Sequence, residues 1–449
     1  MSAIITDQFR ILNASNFVES VENTNNSYYV TVSLPNPITS PIGYGRSSTW
    51  NENPPAPVDS IAYNSHAGDV VLYGKRITSA NIRRIVRKIE WTAGTRYEMY
   101  RDDYSIENPA PLSNASRLYD ANYYVMNSDF RVYICIENGS SGKNPKGNVS
   151  QDEPSFTDLE PSRAGDSGDG YIWKYLFTIT PSDIIKFDST EYITVPNEWQ
   201  TSTDPQIRSV RESGDSTINE NQIKTVYIAD EGLNYANGLG QEFPILGDGT
   251  GGKVRVDVEG TKITNTVVTA GGKDYSYALV DLGAINSSTT GTSAKLVPVI
   301  PPSNGHGHNV YTELGTDKVL IYSRFDDSTK DFPVDTSFAQ VGIVKNPTKV
   351  GTTQIYDEDT FSALFAFKFS SITGTPKVGD KIEQIVDGGN GRAYGYVASY
   401  DTDTKVLKYF RDRSLYYNNT TNDQQDYVGI STNGKVYSFE SSTNPVSSG

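Results

Sequence analysis

The sequence predicts a mainly β protein with few short helices, and three observations carry that prediction. Of its 449 residues, 50 are aromatic and 30 of those are Tyr, a residue that suits a pleated, half-buried surface. Ser, Thr, Asn and Gln fill nearly a third of the chain, a composition of polar turns rather than of helical bundles. The apolar residues fall in short runs punctuated by glycine and proline. At this length one hydrophobic core rarely suffices, so about two to four structural units are expected. The chain is too aromatic, and at 21% charged residues too weakly charged, to be disordered.

In chain order, Ile4-Ile5 and Phe9-Arg10-Ile11-Leu12 open the sequence, and Ser27 to Leu34 follows as an extended stretch. Its end alternates polar and apolar residues, as a half-buried strand does. The prolines of Pro54-Pro55-Ala56-Pro57 are too dense for the inside of a sheet. The spacing of Ile82, Ile85, Val86 and Ile89 predicts a helix over Ser79–Glu90 with Ser79 as its cap. The β-branched isoleucines leave a strand as the alternative. Arg83, Arg84, Arg87 and Lys88 fill the other faces of that helix. Their plain reading is a solvated face, and the rarer one is a contact with an acidic partner or nucleic acid.

From Trp91 to Val195 the pattern is β. Tyr123–Met126, Phe130–Ile136, Tyr171–Ile179 and Tyr192–Val195 are apolar-aromatic runs around a polar, glycine-bearing stretch, Glu137–Gly170. Pro181–Phe187 reads as one helical turn. Near residue 215 the composition shifts to short β-branched runs between glycines, as in Lys224–Ile228, Gly251–Val258 and Ile263–Val268. Glycine pairs permit tight turns of positive φ. A second such module begins near Lys377, with runs at Val378–Ile382, Ala393–Val397 and Lys405–Phe410. No repeat of fixed period is expected beyond these two modules.

The net charge is −15 and the isoelectric point is near 4.8. An acidic chain repels phosphates, which argues against bulk nucleic-acid binding. The lone Cys135 excludes an intrachain disulfide and suits folding in a reducing cytoplasm. No basic-then-apolar leader opens the sequence and no apolar window of about 18 residues follows. The expectation is a chain with neither an export signal nor a membrane span.

Candidate chemistry is thin. Gly165-Asp166-Ser167-Gly168 matches the tetrapeptide around a serine-protease nucleophile. Such a serine needs a histidine base, and the only upstream histidine, His66, stands in Asn64-Ser65-His66-Ala67-Gly68, which lacks the matching context. A glycine-rich turn is the simpler reading. His306 and His308 share a face if extended, and Glu313 is the nearest carboxylate to complete a metal site. Structural zinc sites normally close with four ligands and favour thiolates, so an ordered loop with hydrogen-bonded histidines is preferred. Asp166 and Asp169 do not keep the EF-hand spacing. No phosphate loop or dinucleotide fingerprint is present. The expectation is no enzyme, no cofactor, no required metal and no small-molecule substrate.

Several segments, in order, resemble the gene-eight baseplate wedge subunits of T4-like contractile-tailed bacteriophages. They are Gly45-Arg46-Ser47-Ser48-Thr49-Trp50 with Pro54-Pro55-Ala56-Pro57-Val58-Asp59-Ser60, and Arg87-Lys88-Ile89-Glu90-Trp91-Thr92-Ala93-Gly94-Thr95-Arg96-Tyr97. The most specific block is Gly168-Asp169-Gly170-Tyr171-Ile172-Trp173-Lys174-Tyr175-Leu176-Phe177-Thr178-Ile179, ahead of Glu191–Pro196. Gly305–Asn309 with Glu313-Leu314-Gly315, and Val341–Pro347, look like segments of phage relatives.

The resemblance covers roughly residues 1–200 and 301–348. It implies a β-sandwich core, partly immunoglobulin-like, over 1–214 and 301–348. Residues 215–300 are then an inserted Gly-rich β module, and 349–449 a small C-terminal β module ending in a polar tail, Ser441–Gly449. It further implies a structural part of a baseplate wedge in the virion tail, assembled in the host bacterial cytoplasm. The implied partners are other wedge proteins and a second copy of the chain in each wedge, with neither nucleic acid nor membrane. Trp91, Arg96, Tyr97, Tyr171, Trp173 and Tyr175 are the candidates for structural core or interface. Arg83, Arg84, Arg87 and Lys88 are the candidates for an acidic partner. Alternatives of other classes are a virion-associated receptor- or carbohydrate-binding tail protein and a tail-associated glycan hydrolase.

Overall fold

The computed structural model describes residues 6–33, 71–215, 217, 219–285, 293–325, 340–349, 351–377, 380–410, 439–441 and 445–448. The segments Gly45–Trp50 and Pro54–Ser60, His66, and the start of the second glycine-rich module at Val378-Gly379 lie outside these residues. The described chain is mostly antiparallel β-sheet and divides into two compact units, Met1–Glu19 with Ile82–Tyr322 and Ser20–Asn81 with Ser323–Gly449. Compactness thus places residues 301–322 in the first unit and 323 onward in the second. No described helix is long and apolar enough to cross a membrane.

In the first unit, two three-stranded antiparallel sheets share one core. One is Tyr124–Met126, Arg131–Asn138 and Tyr171–Thr178, and the other has Ile82–Arg87 between Lys318–Ile321 and Tyr192–Val195. Val132, Ile134, Tyr175 and Phe177 of the first sheet join Val86, Ile193 and Val195 of the second in a single buried cluster. The strand Arg131–Asn138 is buried on both faces from Val132 to Ile136, which is why it reads as an apolar run instead of an alternation. This all-β, mainly sandwich-like arrangement agrees with the predicted fold class.

The helix expected over Ser79–Glu90 is not formed. Ser79–Asn81 makes one 3-10 turn and Ile82–Arg87 is a strand. The residues 82, 85 and 86 suit either periodicity, but β-branched side chains favour the pleated form. Arg84 also pairs with Val195 on one side and Val319 on the other, so the strand satisfies its backbone within the sheet.

Three helices escape the sequence reading. Asp7–Glu22 buries Ile11, Ala14, Val18 and Val21, a stripe at alternating three- and four-residue spacing. The Thr6 hydroxyl accepts the Phe9 amide at its start. Pro205–Gly214 is capped by Asp204, whose Oδ1 accepts the amides of Gln206 and Ile207 at 2.9 and 3.1 Å, and Pro205 takes the favoured first position. Val310–Leu314 is capped by Asn309 and ends on Gly315 in the left-handed region. The helical turn read at Pro181–Phe187 is present, with Thr180 as its cap.

The glycine-rich residues of this unit build a four-stranded sheet, Lys262–Lys273, Thr250–Glu259, Gly238–Gly247 and Ala278–Val280, beside the pair Val226–Asp230 and Lys295–Pro298. They enclose a second core that includes Ile223, Tyr235, Phe243, Val254, Val256, Ile263, Tyr275 and Leu296.

The second unit holds two sheets. Gln340–Lys345, Tyr28–Ser33, Val71–Ile77 and Thr360–Ser362 form one, in that order. Phe365–Lys368, Val406–Phe410, Gly391–Asp401, Lys381–Val386 and Ser447–Ser448 form the other. Within the stretch expected as a polar tail, Ser447 and Ser448 add an edge strand opposite Glu383 and Ile382. Small polar residues suit such an edge, where the backbone supplies the pairing.

Candidate functional site

The strand Tyr171–Thr178 places Tyr171, Trp173 and Tyr175 on one face by its period of two. All three are buried, Trp173 completely. Tyr171 stacks on Trp173 with centroids 5.3 Å apart and planes 15° from parallel, and Tyr97 meets Trp173 edge-on at 5.8 Å. Hydroxyls fix this cluster. Tyr171 Oη accepts the Tyr97 amide and donates to the Asn148 carbonyl, both at 2.9 Å. Tyr97 Oη accepts the Thr92 amide at 2.7 Å. Burial pushes the Tyr97 and Tyr171 phenols above the ordinary range. Trp91 is half-buried with its indole N–H on Ser150 Oγ at 3.0 Å. Arg96 is exposed, and its Nε donates to the Gly147 carbonyl.

The basic run turns its charge inward. Arg83 grips Asp183 with Nε and Nη2, both 3.0 Å from Oδ1. Arg84, only 2% exposed, donates to the Asn197 carbonyl at 2.9 Å and lies over the Tyr311 ring at 4.2 Å. Arg87 donates to the Ala121 carbonyl at 2.9 Å, and Lys88 pairs with Glu90 at 2.9 Å. A strand with neighbours on both sides presents these side chains to its own unit rather than along a solvated helical face.

Other buried polar groups close loops. Glu98 has no motif around it, yet its carboxylate accepts the Leu112 and Ser113 amides and the Ser113 hydroxyl on Oε1. Its Oε2 accepts the Asn122 amide at 2.6 Å. Lys174 is 1% exposed, with Nζ 2.7 Å from the Leu159 carbonyl and 3.3 Å from Ser213 Oγ. Burial first, and the charge of Lys224 second, lower its pKa to about 8. Trp199, fully buried, donates its indole N–H to the carbonyls of Gly307 and His308. Neither Glu98 nor Trp199 stands out in the sequence, though Trp199 follows the strand Tyr192–Val195 closely enough to suggest a core anchor.

The two histidines part company. His306 Nδ1 lies 2.5 Å from Glu313 Oε1, the Gly307 amide donates to Glu313 Oε2 at 2.7 Å, and Tyr100 packs edge-on against the imidazole. His308 caps the approach to Trp199 through its carbonyl. Among the described residues no group of three or more His, Cys, Asp or Glu is placed to hold a metal ion. Gly165–Gly168 is an exposed turn in which Asp152 Oδ2 accepts the Ser167 amide at 2.9 Å, and the Ser167 hydroxyl first, then this amide, lowers the Asp152 pKa. A recess on the same unit is lined by Asp7, Arg87, Arg117, Tyr119, Asp120 and Lys318. Arg117 already pairs there with Asp7 and Asp120.

In this geometry the polar groups of a β chain bind one another, and comparison with known proteins finds two matches. A family model described as Bacteriophage T4, Gp8 matches residues 134–237, which takes in the whole Tyr171–Thr178 strand and Trp199. The baseplate wedge protein gp8 of Enterobacteria phage T4 is 27% identical over 228 residues, covering 45% of this chain and 63% of that relative. The chain thus spans less than two thirds of the length of the curated relative it matches. Both matches are to the same phage T4 protein, gp8. The matched segment runs past residue 214, the expected end of the first part of the core, to Asn237.

Proposed function

We propose that the protein is a structural component of a contractile-tail baseplate wedge, holding neighbouring baseplate proteins together through extended interfaces. The observation that carries this reading is the match to a T4 protein named as a baseplate wedge protein, which falls together with a family match over the aromatic core. Extended interfaces draw on many modest contacts over a rigid surface. The stacked and hydroxyl-tied cluster of Tyr97, Tyr171 and Trp173 supplies the rigidity.

On this reading the chain acts without catalysis, sits in the tail baseplate of the virion after assembly in the host cytoplasm, and pairs with a second copy in each wedge. The residues 238–300, beyond the family match, and those from 349 onward then carry contacts particular to this chain. A receptor- or carbohydrate-binding role is not favoured, because the relative's name describes a wedge component.

The test is the composition and map of purified tails. Quantitative mass spectrometry should find the chain in a fixed ratio to the other tail proteins, and electron microscopy should place it inside the baseplate. A chain that is missing from tails, or that binds cells or glycans alone from the periphery, would overturn the proposal.

A further inference from the structure

Residues 223–300 carry one structural phrase twice. Gly232-Leu233-Asn234-Tyr235-Ala236 recurs 40 residues later as Gly272-Lys273-Asp274-Tyr275-Ser276. The backbone repeats with it. Gly232 and Gly272 have φ of 66° and 59°, and Asn234 and Asp274 have φ of 66° and 62°. Positive φ is uncommon outside glycine, and Asn and Asp are the residues that best tolerate it.

Strand pairing repeats as well. The strand Val226–Asp230 pairs with Lys295–Pro298, and Lys262–Lys273 pairs with Thr250–Glu259. Advancing the first strand by 40 residues and drawing its partner back by 42 converts one ladder into the other. Val226 opposite Pro298 becomes Thr266 opposite Val256, and Tyr227 opposite Val297 becomes Val267 opposite Arg255. Ile228 opposite Leu296 becomes Val268 opposite Val254, and Asp230 opposite Lys295 becomes Ala270 opposite Lys253. Each ladder skips one residue at the same step, Ala229 in one and Thr269 in the other. A bulge of this kind is a specific local feature, and its recurrence in register is not a property of glycine-rich sequence in general.

The tyrosines close the arrangement reciprocally. Tyr235 Oη accepts the Ala294 amide at 2.8 Å, and Tyr275 Oη accepts the Gly252 amide at 3.0 Å. Ala294 and Gly252 are themselves 42 residues apart. Between them, Gly238–Gly247 and Ala278–Val280 pair with each other in antiparallel fashion, as equivalent strands beside a two-fold axis do.

We infer that this module is a tandem duplication of one β unit, residues 223–258 and 263–300, whose copies have exchanged their last strands. The tyrosine of each copy clasps the exchanged strand of the other. The expectation of no internal repeat fails here because few side chains are shared and the two copies differ by two residues in spacing.

Amide hydrogen exchange on the full-length chain tests the inference. Tyr235→Phe should speed exchange at Ala294 by about tenfold and leave Gly252 unchanged, and Tyr275→Phe should do the reverse, since each removes the hydrogen bond that its amide makes; Tyr275→Phe also removes the donation from Tyr275 Oη to the Ile245 carbonyl. A variant that opens the strand of its own copy, or an effect from only one of the two, would overturn the duplication. Turn exchange gives an independent reading: L233K, N234D and A236S combined with K273L, D274N and S276A. Equivalent turns keep both amides protected after the exchange, and loss of protection at either would refute their equivalence.

Discussion

Replacing Trp173 with alanine asks how much of the first unit rests on a single side chain. Trp173 is wholly buried, and a buried Trp hides about 150–250 Å² from water. At roughly 25 cal/mol per Å² this amounts to about 4–6 kcal/mol, close to the span of about 3–5 kcal/mol for aromatic-to-alanine changes in cores. Collapse into the hole is restricted, because Tyr171 and Tyr97, which line it, are tied by their hydroxyls to Asn148 and Thr92. The expected loss therefore lies in the upper part of that span, about 4–5 kcal/mol. The Trp173 indole N–H has no hydrogen-bond partner among the described residues. Trp173→Phe removes that buried donor along with some volume, and should cost only about 1–2 kcal/mol. Urea denaturation followed by tyrosine and tryptophan fluorescence measures both. A loss below about 1 kcal/mol for alanine, or a phenylalanine variant as damaged as the alanine one, would refute the reasoning.

Lys174 gives a pH signature: its folded pKa is lowered to about 8, mainly by burial. Between that value and its ordinary pKa near 10.4 the unfolded chain holds the proton and the folded chain does not, so its contribution to stability rises with pH. Relative to Lys174→Met, the native protein should gain about 2.5 kcal/mol between pH 7 and 10, read from paired denaturation curves, and a flat difference would exclude this. Glu98→Gln places an amide NH2 among donors from Leu112, Ser113 and Asn122 and should cost about 2–3 kcal/mol. Amide exchange should quicken at residues 112, 113 and 122, and unchanged rates there would show that the carboxylate does not hold the loop. Removing residues 231–294 and joining Asp230 to Lys295 through a two-residue turn should leave a cooperative first-unit transition, since those ends are register partners. A deletion from 215 to 300 also removes Tyr227 and Val299 from the main core and should destabilise more. Equal melting of the two deletions would contradict that distinction.

What the sequence reveals depends on how local each cause is. Tyr192–Val195 reads as a strand from its own four residues and is one. Ile82–Arg87 does not, because 82, 85 and 86 fit two periods and the decision comes from partners at Val195 and Val319, more than a hundred residues away. The opening helix was legible in Ile11, Ala14, Val18 and Val21, and Asp204-Pro205 announces Pro205–Gly214 by capping chemistry. Exposed Phe9 and Leu12 obscure the first of these. Trp173 follows from the strand period. Glu98 has no such warning, since its meaning lies in three backbone amides gathered by a loop. His306 and Glu313 are seven residues apart, a spacing that only the turn at Gly307 and the short helix after it convert into contact.

The route of the chain between its two compact units bears on synthesis. The polypeptide passes from one unit to the other at Glu19, at Asn81 and again at Tyr322, so neither unit is encoded by a continuous stretch. The strand Tyr28–Ser33, buried along its whole length, finds one neighbour early in Val71–Ile77 but its other in Gln340–Lys345. At about 5–20 residues per second, a translating ribosome needs roughly 15–60 s to deliver that second partner. Throughout that interval Tyr28, Val30 and Val32 lack the neighbour they pair with at Lys345, Ile343 and Val341. Nascent chains should therefore depend on chaperones that hold exposed apolar strands, and slowing translation should lower the soluble yield instead of raising it.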